Sequence, residues 1–183
     1  MARPAIGFLT LQSGSWADLL ATWQELERVG ADSIWVCDHL VSPYAPTVDW
    51  FEGWTALAAL AQATPRVRAG MLVSSPTLHH PAPLAKQVVT VDHLSGGRLE
   101  VGLGAGGAPL DHLIMATGEW SPTERRDRFH EYVDLLDRLL RGHVERHDGP
   151  YYPTEAATFE PRAVQTPRPP FTIAGHARGT LQL

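Results

Sequence analysis

Residues 80–107, HPAPLAKQVVTVDHLSGGRLEVGLGAGG, decide how the rest of the chain is read. Pro81 and Pro83 suit a helix's first turn, where a missing N–H costs nothing, and apolar residues recur at helical spacing over 82–94. Ser95, Gly96 and Gly97 supply the stop. Residues 98–103 then read as a short buried strand. It runs directly into Gly104, Ala105, Gly106 and Gly107, where main-chain amides stand bare of large side chains and a ligand can come close.

The same rhythm extends toward the N-terminus. Residues 5–10 form an apolar first strand followed by the loop Gln12, Ser13, Gly14. Ser15 can cap the next helix, with Asp18 in its first turn, a stripe of Leu19, Leu20, Trp23, Leu26 and Val29, and Gly30 as its end. A second strand over 33–37 delivers Asp38 and His39 at its C-terminal end. A polar loop through Thr47 leads to the strongly helix-forming stretch 54–61, and a third strand over 67–73 ends at Ser74, Ser75 and Pro76.

Beyond Gly107, residues 108–120 read as a loop. Ser121 then caps the best helix in the chain, with Glu124 at the capping-box position, Phe129, Val133, Leu136 and Leu140 on one face, and Gly142 as the stop. Residues 144–160 leave the rhythm as a hairpin insertion, signalled by the turn pair Asp148 and Gly149. A proline-rich loop over 161–170 precedes a fifth strand, Phe171 to Ala174, and the small-residue turn 175–179.

Five strands alternating with four helices predict parallel βαβ units whose strand C-termini open on one face. Gln12, Asp38, His39, Ser74, Ser75, Ala105, Gly106 and Gly107 all fall at those ends, where α/β folds place ligand sites. A closed eight-stranded barrel takes about 250 residues. The expectation is one domain over 1–183 whose remaining strands lie beyond Leu183, with an open doubly wound sheet as the alternative.

His39 suits proton transfer, since an imidazole titrates near neutrality. Asp38 is the candidate to orient it. Adjacent residues on an extended strand point to opposite faces, however, so the partner can instead come from another strand. The remaining histidines show no HExxH spacing, so no metal site is expected. Cys37, the lone cysteine, sits within an apolar strand and forms no intrachain disulfide.

At 183 residues, with 44% hydrophobic and 19% charged, the composition is that of a globular domain. A net charge of -5 with no basic stripe argues against nucleic acid as a partner. No apolar run approaches the roughly 18 residues of a membrane helix and no signal core opens the chain, so a cytoplasmic protein is expected.

Asp38-His39-Leu40, Leu84-Ala85-Lys86, residues 91–100 (VDHLSGGRLE) and residues 102–106 (GLGAG) resemble the bacterial luciferase-like family of flavin- and coenzyme F420-dependent oxidoreductases. The order of elements agrees from residue 5 to 183, and the DHLSGGRLE string is most similar to the F420-dependent branch. The resemblance implies a TIM (β/α)8 barrel with an insertion, represented here by about its first five strands and four helices. It also implies hydride transfer between F420 and an organic substrate, with FMN-dependent monooxygenation as the rival. A non-catalytic flavin-binding or structural fragment is the third reading.

On the same resemblance, His39 lies beside the reactive ring carbon. Leu72, Val73 and Ser74 form a bulge with a non-proline cis peptide behind the ring. Ala105 and Gly106 border the cofactor, and Ala174, Gly175, His176 and Ala177 offer backbone donors near its phosphate. A homodimer is expected, with Trp50 and Phe51 preceding an interface helix. Gly107 departs from the pattern: sugar-phosphate dehydrogenases of the family carry a catalytic glutamate there, and many other members a tryptophan.

Overall fold

The computed structural model describes residues 3–175. The elements run β1 (Gly7–Leu9), α1 (Trp16–Arg28), β2 (Ser33–Val36), α2 (Gly53–Ala63), β3 (Arg68–Ser74), α3 (Pro81–Ser95), β4 (Leu99–Gly104), α4 (Pro109–Ile114), α5 (Pro122–Arg141), β5 (His143–His147), β6 (Thr154–Thr158) and β7 (Phe171–Ala174). Sequence-predicted boundaries shift by a residue or two at most ends. The short helix α4 is new, because 108–120 carries no apolar period long enough to signal a helix.

Five strands form one parallel sheet in the order β1-β2-β3-β4-β7. Each new strand adds to the same edge, whereas a doubly wound sheet reverses direction partway. With right-handed crossovers, adding strands in one direction puts every connecting helix on one face. Accordingly α1 packs on α2, α2 on α3, and α3 on α5. This is the winding of a (β/α)8 barrel, and the open doubly wound alternative is set aside.

The helix-facing side of the sheet is the core. Ile34, Ala69 and Leu99 lie in one register layer and Val36, Met71 and Val101 in the next, all fully buried. They join Leu57, Leu60, Leu84, Val88, Leu135, Leu136 and Leu139 from the helices in one cluster. Each such Val, Leu, Ile or Met side chain contributes about 1.5–3 kcal/mol by leaving water. The opposite side carries Trp35, whose ring lies over Gly70 so closely that an added Cβ there would come within 2.2 Å of it.

The helix ends follow the sequence signals. Ser15 Oγ accepts from Asp18 N at 3.2 Å and Ser121 Oγ from Glu124 N at 3.2 Å, while Gly96 closes α3 at φ 63°. The Glu124 carboxylate does not complete a capping box, since it pairs with Arg128 one turn along at 2.8 Å. Strands β5 and β6 pair antiparallel as a separate ribbon, joined by residues 148–153 rather than by a two-residue turn. The longer connection follows from Glu131, whose carboxylate accepts from Tyr152 N at 2.7 Å and Tyr151 N at 3.2 Å and ties the loop to α5.

Candidate active site

Construction of the site begins where β2 ends. Gln12, fully buried, brackets Cys37: its Oε1 accepts from Cys37 N at 3.1 Å, and its Nε2 donates to Cys37 O. The amide thus continues the sheet's hydrogen bonding past the strand end and fixes the direction in which Asp38 and His39 leave. Burial pushes the Cys37 thiol up to about 11, so it stays protonated and inert.

Asp38 and His39 then part, as neighbours on extended backbone must. Asp38 turns inward, where its Oδ2 accepts from Ser74 Oγ at 2.5 Å and lies 2.8 Å from His79 Nε2. Ser74 in turn accepts from Trp54 Nε1 at 2.9 Å. His39 turns outward. Its Nδ1 stands 2.7 Å from Asp111 Oδ2, and the other oxygen of Asp111 accepts from Leu40 N at 3.3 Å. Asp38 is therefore not the residue that orients His39. That residue is Asp111, held on α4 by the turn that Pro109 opens.

Two histidines carry raised pKa values for different reasons. For His39 the hydrogen bond to Asp111 dominates, against a partial burial that opposes charge. For His79 burial is the largest influence and acts downward, but the Asp38 carboxylate 2.8 Å away and the charge of Glu52 together outweigh it. Asp111 fixes Nδ1 of His39 as the hydrogen-bonded nitrogen and leaves Nε2 free among the described residues.

Strand β3 supplies the floor. Its register against β4 shifts between Met71 and Ser74, and the Leu72–Val73 peptide is cis. The glycines of β4 make room for this irregular backbone. An added Cβ on Gly102 would lie 2.2 Å from Met71 O, and one on Gly104 2.6 Å from Val73 Cγ2.

Above the floor opens a cleft of about 690 Å³, lined by His39, Asp38, Leu72, Val73, Ser75, residues 104–108, Asp111, Thr123, Arg125, Arg126, Ala174 and Gly175, among others. Of the expected site residues, the fold brings together His39, Asp38, Leu72, Val73, Ala105, Gly106, Ala174 and Gly175. Ser74 lies beneath the cleft on Asp38 rather than in its wall. His176 and Ala177 fall outside the described residues. Sequence reasoning missed Asp111, His79 and Arg125. For Asp111 a usable signal existed, since Pro109 can open a helix that holds an acid in its first turn.

The cleft's size lies within the range of small-ligand sites. Its wall at Gly104, Ala105, Gly106 and Gly107 carries no side chain larger than a methyl and so leaves room for a flat ring, while Gly106, at φ 72°, packs so closely on Thr77 that an added Cβ would lie 2.3 Å from Thr77 Oγ1. The residues present fit a flavin or deazaflavin.

A singly wound parallel sheet with a cleft at the C-terminal ends of its strands is the arrangement of a (β/α)8-barrel ligand site. The chain belongs to the luciferase-like monooxygenase family, whose sequence profile matches residues 3–183. It is 38% identical over 128 residues to a 4-hydroxyprotoasukamycin monooxygenase of Streptomyces nodosus subsp. asukaensis, covering 69% of this chain and 32% of that one. It is 33% identical over 165 residues to an F420-dependent glucose-6-phosphate dehydrogenase of Amycolatopsis mediterranei, covering 86% and 47%. Among solved structures, an F420-dependent secondary alcohol dehydrogenase in complex with an F420-acetone adduct superposes with a TM-score of 0.83 at 27% identity, over 95% of this chain and 53% of that one. The chain thus spans about a third to a half of the length of these curated relatives.

Proposed function

We propose that the cleft takes a deazaflavin of the F420 type and serves hydride transfer between it and an organic substrate, an alcohol or the corresponding carbonyl compound. The observation that carries this reading is the His39–Asp111 pair at the cleft wall, 2.7 Å apart. Bound there, the deazaflavin supplies or accepts the hydride. His39 handles the proton. With Nδ1 held by Asp111, Nε2 takes the hydroxyl proton when an alcohol is oxidised and returns it to the carbonyl oxygen in the reverse direction. Leu72 and Val73 would support the cofactor from the cleft floor, Ala105 and Gly106 would leave room for it, and Ala174 with Gly175 would border it on the far side.

FMN-dependent monooxygenation is the second reading, favoured by the identity to the 4-hydroxyprotoasukamycin enzyme. Titration of the purified protein with F420 and FMN separates the two. Saturable quenching of F420 fluorescence, with alcohol-dependent F420 reduction, is expected. Binding of FMN with no response to F420 overturns the preference, and binding of neither leaves the non-catalytic fragment reading. A homodimer is the proposed assembly, to be read by sedimentation.

A further inference from the structure

The charges around the cleft do not balance. Asp38 is answered by His79 and Ser74, and both oxygens of Asp111 are taken by His39 and Leu40. Arg126 pairs with Asp127 at 2.6 Å. Arg125 stands apart. It lines the cleft, is half-buried and has no carboxylate partner among the described residues. Its one hydrogen bond there is a long one, Nη1 to Gly106 O at 3.4 Å.

A guanidinium carries five N–H donors in a planar fork, and those of Arg125 that make no bond to the protein remain available to a ligand in the cleft it lines. Gly107 shares the cleft wall with Arg125, and an added Cβ at 107 would lie 3.2 Å from Arg125 Nη1, so a larger residue there would crowd the guanidinium. The chemistry that matches a forked cation beside a hollow is an oxyanion taken by two parallel hydrogen bonds.

We propose that Arg125 is the anion-binding residue of the cleft, and that the ligand held there presents a carboxylate or phosphate across Gly107. The inference rests on the cleft being the ligand site proposed above, and it narrows the ligand to an anion. The anionic group can belong to the substrate or to the cofactor's phosphate.

Calorimetric titration of the purified protein with inorganic phosphate, at fixed ionic strength, tests this without any redox turnover. The wild-type chain should bind phosphate, Arg125→Gln should weaken binding by about tenfold or more, and Arg125→Lys should retain part of it. Gly107→Glu should also weaken it, by setting a carboxylate against the guanidinium. FMN and riboflavin then distinguish the sources. If the cofactor's phosphate is the anion, Arg125→Gln weakens FMN binding and spares riboflavin. If the substrate carries it, both flavins bind the variant as they bind wild type while phosphate binding is lost. Undetectable phosphate binding by the wild type, or equal binding by a folded Arg125→Gln protein, overturns the proposal. Failure to use F420 overturns only the redox reading and leaves the phosphate result standing.

Discussion

Replacing Asp111 by Asn tests the geometry most sharply, because it keeps the shape of the side chain and removes only its charge. The carboxylate holds His39 Nδ1 at 2.7 Å and is itself almost wholly buried. A hydrogen bond with a charged partner contributes about 1.5–3 kcal/mol. If that bond acts on the proton-transfer step, its loss corresponds to roughly ten- to hundredfold in turnover. The amide can also turn its NH2 toward the ring, which favours the tautomer with hydrogen on Nε2 and removes the acceptor that the proposed proton transfer uses. NMR titration of the His39 imidazole reads the cause directly. Asp111 is the largest influence raising this pKa, so the midpoint in Asp111→Asn should move down toward the ordinary 6.5. The sign carries over to stability. A pKa raised on folding stabilises fully below the unfolded value of 6.5, and that contribution is lost as pH rises through the higher folded value. The stability gap between wild type and variant should therefore be widest on the acid side of 6.5 and narrow above it. An unchanged or higher midpoint in the variant would refute the pairing.

His39→Ala should lower turnover by about 10²–10⁴ while leaving cofactor affinity within roughly tenfold, and unchanged turnover removes His39 from the mechanism. His79→Gln leaves the buried Asp38 carboxylate without its cation, and chemical denaturation near pH 6 should show a loss of about 3 kcal/mol. Because the His79 pKa is raised, that loss should shrink as pH climbs, and a pH-independent loss would point to packing instead. Gly102→Ala forces a methyl against Met71 O and should cost about 2–3 kcal/mol, with a loss under 0.5 kcal/mol contradicting the close approach of β3 and β4.

Local chemistry sufficed wherever a feature is set by nearby residues. The apolar period and proline start of 81–95, the glycine stop at Gly96, the caps at Ser15 and Ser121 and the β-rich run at 171–174 all appear in the structure close to where the residues place them. The gathering of Asp38, His39, Ala105 and Gly106 at one end also followed from the βα alternation, because parallel strands bring their C-termini to one face. Strand order and partner choice needed the tertiary structure. Nothing local distinguishes a sheet that grows in one direction from one that reverses, since both are built from the same βαβ units. The partner of His39 lies 72 residues away on a one-and-a-half-turn helix, too short to leave a periodic trace. Asp38, adjacent in sequence, is turned away by the alternation of extended backbone and is spent on Ser74 and His79. The sequence by itself thus determined which residues reach the mouth of the sheet, because that depends on the order of elements. Only the folded chain decided which of them touch, because side-chain pairing depends on distances of a few ångströms between segments that the sequence keeps far apart.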